Sequence, residues 1–303
     1  MMQFNEWTVL LILLKLASYL SISTLAGTLL MRFIITRCNG EEQQLFSFYE
    51  YLKNWQIKCL IIGFIAVMLR VPIESGAMVD LGVMGMLDPL MLEMVWTSVI
   101  GDQVAIRIPA LISGLIAAFM WNVKTDSYLT NYYRNAITLF ALGLLAYSFT
   151  LTGHSAGEHE LIKIILIFHL IAIASWIGSL LPLYKSCSLL PIDAVQRLMH
   201  YFGQMAVVIV LVLFVTGITL LLQYLTSFDE LLTSSYGQLI LLKLLLVSCI
   251  LLLGMRHKLF LVPKMTQQHH VNTLKRSISV EIFIVCLILI TTSIFTTFIG
   301  PTL

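Results

Sequence analysis

Eight apolar stretches, at residues 7–31, 56–71, 103–121, 133–152, 161–184, 201–223, 237–255 and 278–298, set the terms on which this chain can fold. Most of them reach the twenty or so residues that a helix needs to cross about 30 Å of hydrocarbon. No water is present inside a bilayer to satisfy backbone amides and carbonyls, so each stretch must be helical. Composition agrees: 59% of the 303 residues are hydrophobic and 11% are charged, whereas a water-soluble domain carries about 25% charged residues. The connecting segments are short, and none is polar enough and long enough to form a separate soluble domain. The expectation is an all-α fold: a polytopic membrane helix bundle with eight transmembrane helices, in one domain spanning residues 1–303.

The distribution of charge orients these spans. Alternate loops hold Arg32, Arg37, Lys53 and Lys58, then Lys124 and Arg134, then Lys185 and Arg197, then Arg256, Lys258, Lys264, Lys275 and Arg276, which is 13 of the 18 Lys and Arg. The positive-inside rule puts those loops on the cytoplasmic side, and an even number of spans then leaves both termini outside (N-out/C-out). Glu6, Glu74, Asp80, Asp88, Glu93, Asp102, Glu158, Glu160, Asp229 and Glu230 fall on the outer side, a surface that attracts cations or a basic partner. None of the five cysteines falls in an outer loop, so no structural disulfide is expected. The first stretch is read as a span and not as a cleaved leader, since no Lys or Arg precedes it and Lys15 lies inside it.

Three features could carry chemistry. Residues 78–94 hold five of the chain's 14 Met, namely Met78, Met84, Met86, Met91 and Met94. Thioether sulfur is a soft ligand that favours Cu(I); the same pattern also suits an interfacial segment that uses Met as adaptable filler. Histidine is the second feature. His154 and His159 lie in the outer loop TGHSAGEHE, and His169 lies well inside span five, with Trp176 seven residues on and on the same helix face. Imidazole there could bind copper, ligate haem or relay a proton, or simply bond to a neighbouring helix. His257, His269 and His270 read as solvated. The third feature is a set of basic residues within the spans: Lys15, Arg70, Arg107 and Lys243. Arg70 reads as snorkelling to the interface. Lys15 and Lys243 lie deeper, positioned to pair with Glu74, Asp80, Glu93 or Asp102 or to face an anionic cofactor group. Glu281 is placed to pair with a basic residue of the loop before span eight.

No phosphate-binding loop, HExxH motif or nucleophile elbow is present. Nucleotide-driven pumping and nucleic-acid binding are not expected.

From about residue 150 to 300 the sequence resembles the copper resistance protein D family (CopD/PcoD). The resemblance rests on GHSA at 153–156, FHLIAIASWIGSLLPL at 168–183, YGQLILLKLLL at 236–246 and LVPKM at 261–265. It implies a multi-pass protein of the bacterial inner (plasma) membrane that handles copper, commonly beside a small periplasmic copper-binding protein of the CopC type. His154, His169 and Lys243 match positions where the family carries His, His and Lys. Ser18, Leu166 and Gln204 stand where many relatives have further histidines, and His257-Lys258 replaces an Asn-Arg pair.

Three functions are consistent with these residues. The first is copper transport or tolerance, with metal collected by Met84, Met86, Met91, Met94 and His154 and passed to His169. Trp176, Lys15, Arg107 and Lys243 support that site, and Cys38 and Cys187 lie at the far end. The second is a redox protein using haem b or quinone, which would account for buried cations. The third is a docking scaffold for a copper chaperone, bound through Asp80, Asp88 and Glu93. On the first and third readings the protein is not an enzyme.

Overall fold

The computed structural model describes residues 6–38, 42–79, 82–122, 128–152, 157–224, 232 and 235–298. His154, Asp80, Lys124, Asp229 and Glu230 lie outside the described residues. The described residues form helices α1 (Glu6–Ile35), α2 (Glu42–Met78), α4 (Val99–Phe119), α5 (Tyr128–Ser148), α6 (Glu160–Leu189), α7 (Ile192–Tyr224), α8 (Ser235–Arg256) and α9 (Gln268–Phe298), with a short helix, α3 (Pro89–Trp96), between α2 and α4. No strand occurs among the described residues. Among the described residues eight helices are long and apolar enough to cross a membrane, one for each stretch read from the sequence.

The helices outrun the apolar stretches that announce them. The stretch at 56–71 belongs to a 37-residue helix, α2, about 55 Å long at helical rise. The stretch at 201–223 is extended back to Ile192. Hydropathy marks the length in contact with hydrocarbon, while the helix continues into its polar flanks. Pro72 sits inside α2 without ending it, since neighbouring helices can satisfy the carbonyl that a proline frees.

Helix α1 is the axis of the bundle and packs chiefly against α2 and α6. Its seam with α6 is set by missing side chains. A Cβ on Gly27 would land on the Gly178 carbonyl, and one on Gly178 would land on the Ser23 carbonyl. Small residues let membrane helices approach until their backbones touch, which stands in for the hydrophobic drive that lipid does not supply. One apolar core, including Leu25, Leu60, Leu111 and Leu145, fills the space among α1, α2, α4 and α5. A second, with Met31, Phe48, Trp121, Leu198 and Leu274, closes the end where α1 runs into α2, called here the turn end; the opposite one is the termini end.

Candidate functional site

His169 lies nine residues into α6, about 14 Å from its start at helical rise. Its Nδ1 is 2.9 Å from Thr216 Oγ1 on α7. That hydroxyl donates its single proton to the Val212 carbonyl at 2.6 Å, so its oxygen is left to accept from Nδ1–H. The tautomer this assigns leaves the Nε2 lone pair available. Gly217, beside Thr216, leaves room for the ring: a Cβ there would sit 3.5 Å from His169 Cε1. Lys243 on α8 lies within Coulombic range of the imidazole. Trp176, two turns on, packs against the small cluster of Leu180, Ile250 and Val285 contributed by α6, α8 and α9. The sequence already placed His169 and Trp176 on one helix face, and the structure adds Lys243 within Coulombic range of the imidazole. Thr216 carried no sequence signal, being one hydroxyl in an apolar span.

The Met-rich segment folds as a 3₁₀ turn (Gly82–Leu87) followed by α3. Asp88 caps α3, its carboxylate accepting from the Leu90 and Met91 amides at 3.0 Å each, and Pro89 takes the first helical position, which needs no amide donor. Met84 and Met94 are exposed, whereas Met86 and Met91 are partly buried. A side chain on Gly76 would strike both Trp7 and Met86, so Met86 is wedged against the start of α1. The segment packs principally on α2 and α4, while His169 faces α7. The predicted methionine ligands and His169 therefore occupy different sides of the bundle. Among the described residues no three His, Cys, Asp or Glu side chains gather as a metal site.

Beneath the Met segment the termini-end cations converge. Arg70 does not snorkel: it pairs with Glu74 one turn on, at 2.9 Å, with both side chains largely buried. Its Nη1 is buried without a hydrogen-bond partner. Arg107 is 8% exposed; its Nε donates to Ser148 Oγ at 2.9 Å, and its guanidinium carbon lies 4.6 Å from the Phe149 ring centroid. Phe149 in turn stacks on Tyr19 at 5.6 Å. Lys15 donates to the Thr296 carbonyl at 2.9 Å and lies within Coulombic range of Arg70, Arg107 and Glu74. Lys15 and Arg107 thus form one group with Arg70, and Lys243 stands apart beside His169.

At the turn end two expectations are corrected. His257 is not a solvated loop residue: its Nδ1 lies 3.3 Å from Glu281 Oε1 and its Nε2 lies 2.6 Å from Ser277 Oγ. It opens a π turn, His257–Leu261, in which the Val262 amide donates to the His257 carbonyl at 3.0 Å. Glu281 thereby finds the basic partner that its position suggested. Arg32 and Arg134, counted in the sequence among loop charges, are buried in α1 and α5. Cys38 and Cys187 are buried in the same core cluster, and burial pushes the Cys38 thiol up.

This geometry defines a multi-pass helical membrane protein with an oriented intramembrane imidazole and several buried cations. Its sequence matches the profile described as "Copper resistance protein D-like, N-terminal domain" over residues 4–164 and that described as "Copper resistance protein D" over residues 196–295. The chain belongs to the copper resistance protein D family. It is also similar to the Inner membrane protein YebZ of Escherichia coli (strain K12), 36% identical over 105 residues. That match covers 33% of this chain and spans about a third, 35%, of the relative. No solved structure matches the chain.

Proposed function

We propose that this protein transports or holds copper ions in a bacterial inner membrane, with both termini and the Met-rich segment on the periplasmic side and a CopC-type periplasmic protein as its partner. The observation that carries the reading is His169, an imidazole inside a span, fixed in orientation by Thr216 with Nε2 left for a soft or borderline metal. Family membership supports copper as the metal, and the Lys and Arg that remain at alternate span ends once the buried Arg32 and Arg134 are set aside, 11 of 18, support the orientation. The exposed thioethers of Met84 and Met94 serve as the collecting ligands on this reading, with Met86 and Met91 beside them and His154 as the further ligand that the sequence offers. Because the Met segment and His169 lie on different sides of the bundle, ions reach His169 between α6 and α7 and avoid the Lys15–Arg70–Arg107 group, which repels them. The protein handles ions and catalyses no reaction.

Copper accumulation in cells producing His169→Ala, compared with wild type at equal membrane abundance, tests the proposal. A change of severalfold in either direction supports it, and unchanged accumulation removes His169 from any copper route. Met84→Leu combined with Met86→Leu tests the collecting site in the same assay.

The cations beneath the Met segment favour a second reading, a redox protein with an anionic cofactor. Haem b does not fit the residues around His169: its ring partner is Thr216, and His159 stands ten residues earlier, about 15 Å away at helical rise. An absorption spectrum of protein purified from haem-replete cells checks this, with no dithionite-sensitive Soret band expected.

A further inference from the structure

At the turn end one imidazole bridges two groups of α9. Ser277 and Glu281 are four residues apart, so they lie one above the other on the same face of that helix. His257, in the π turn that closes α8, reaches both: Nε2 lies 2.6 Å from Ser277 Oγ and Nδ1 lies 3.3 Å from Glu281 Oε1. The row is set inside the protein, with Glu281 3% and Ser277 8% exposed, and both helices are long and apolar enough to cross a membrane. A carboxylate only accepts, so Nδ1 carries the imidazole proton and Nε2 receives the Ser277 hydroxyl proton.

As a structural ion pair this arrangement is poor. A buried pair stabilises only when its geometry is close and its remaining lone pairs are satisfied. Here the contact is longer than the about 2.7–2.9 Å of a charge-assisted bond, and among the described residues no hydrogen bond reaches Glu281 Oε1. Gly254 sets a hydrogen against that oxygen, since even a Cβ there would be 4.0 Å away. Two of the surrounding cations are turned elsewhere. Lys275 donates to Ser188 Oγ on α6 at 2.7 Å and lies over the Tyr184 ring, and the Lys258 stem lies against Gly203 of α7. Arg256 on α8 is within Coulombic range of His257, Arg197 and His200 of α7 line the cleft that Lys258 borders, and α1 and α6 contribute the thiols of Cys38 and Cys187. Among the groups named, only Glu281 is a carboxylic acid.

Carboxylates and histidines within membrane spans mark proton relays. A hydroxyl, an imidazole and a carboxylate in a row pass one proton when each contact shifts its hydrogen once. A proton from water at the turn end binds Ser277 Oγ as the hydroxyl's own proton passes to Nε2, and the Nδ1 proton passes to Glu281 Oε1. The carboxylate becomes a carboxylic acid, the imidazole stays neutral with its proton on Nε2, and one proton has been taken up. The reverse sequence releases it. Imidazole and carboxylate then titrate as a unit.

We infer that the Ser277–His257–Glu281 row is a proton-binding relay that takes up and releases one proton as the protein moves its ion; the coupling rests on the copper transport proposed above, and the relay does not. Full-length protein in lipid vesicles is titrated with acid while its infrared difference spectrum is recorded. A carboxylic-acid carbonyl band appears as pH falls. It is lost in Glu281→Gln and kept in Glu50→Gln, which alters an exposed acid at the same end. Its midpoint moves by at least about one pH unit, tenfold in proton affinity, in His257→Gln. Ser277→Ala deletes a single oxygen and moves the midpoint at least twofold in affinity; it decides the matter if the other variants fail to fold. The absence of a titrating band, a band that survives Glu281→Gln, or a midpoint that neither His257→Gln nor Ser277→Ala moves overturns the relay. In the same vesicles a pH gradient of one sign speeds copper uptake at least threefold, and Glu281→Gln removes that difference. Uptake by the wild type that ignores the gradient overturns the coupling. No copper uptake under any gradient overturns copper transport and leaves the infrared result standing.

Discussion

The two halves of this bundle are built to different densities. In α1, α2, α4 and α5 between 39% and 44% of the most apolar window is buried within the protein; in α6 to α9 the share is 6% to 28%. The first half encloses a continuous core and the Lys15–Arg70–Arg107 group. The second half holds His169 and Lys243 on helices that turn most of their surface to lipid. Density and chemistry are therefore divided: the packed half fixes the architecture, and the open half gives the imidazole neighbours that can move apart. Regions with few buried contacts open at low free-energy cost, which suits the ion exchange proposed for His169.

Substitutions can test that division. The largest effect is expected at the seam joining the halves. Gly178→Leu drives a side chain into the Ser23 carbonyl and should abolish recovery of monodisperse protein by size-exclusion chromatography. Gly143→Leu, with no other group within 4 Å of its Cβ position, should leave recovery unchanged.

Within the packed half, Glu74→Ala strips the buried Arg70 of its ion-pair partner. Breaking a buried pair costs about 3–5 kcal/mol, read as a clear fall in melting temperature. In the open half, Thr216→Val removes one hydrogen bond, worth about 1 kcal/mol, so melting should shift little while copper accumulation changes as in His169→Ala. A melting loss as large as that of Glu74→Ala would erase the contrast between the halves.

The smallest effect concerns Cys38. Burial raises its thiol above the ordinary range, so the neutral form persists at neutral pH and the thiolate appears only at more alkaline pH. Maleimide labelling at pH 7 should be slow in folded protein, rise with pH, and become fast after denaturation.

Much of the fold was legible in the sequence because hydropathy alone determines which segments meet hydrocarbon. The i,i+4 spacing of Arg70 and Glu74 was visible too, and the Asp88-Pro89 pair is a helix-start signal. His169 stood out as an ionisable residue inside a span. The features that stayed hidden depend on which face a helix turns inward. Arg32 and Arg134 look like loop charges because they flank apolar stretches, yet Trp121 draws both into the interior. His257 sits in the basic run Arg256-His257-Lys258, and only the approach of α9 reveals Glu281 as its partner. The seam at Gly27 and Gly178 is a property of two helices together and has no signature in either one alone.

The π turn that carries His257 has a consequence for the phase of the chain. A π turn is an α-helix with one residue too many, and each surplus residue rotates the helix before it by about 100° relative to the chain beyond. Deleting one residue from 258–261 would return this stretch to α-helical spacing and remove the five-residue bond from the Val262 amide to the His257 carbonyl, with no side-chain contact substituted. One surplus residue thus acts as an angular offset at the end of α8, setting the direction in which the chain leaves for α9.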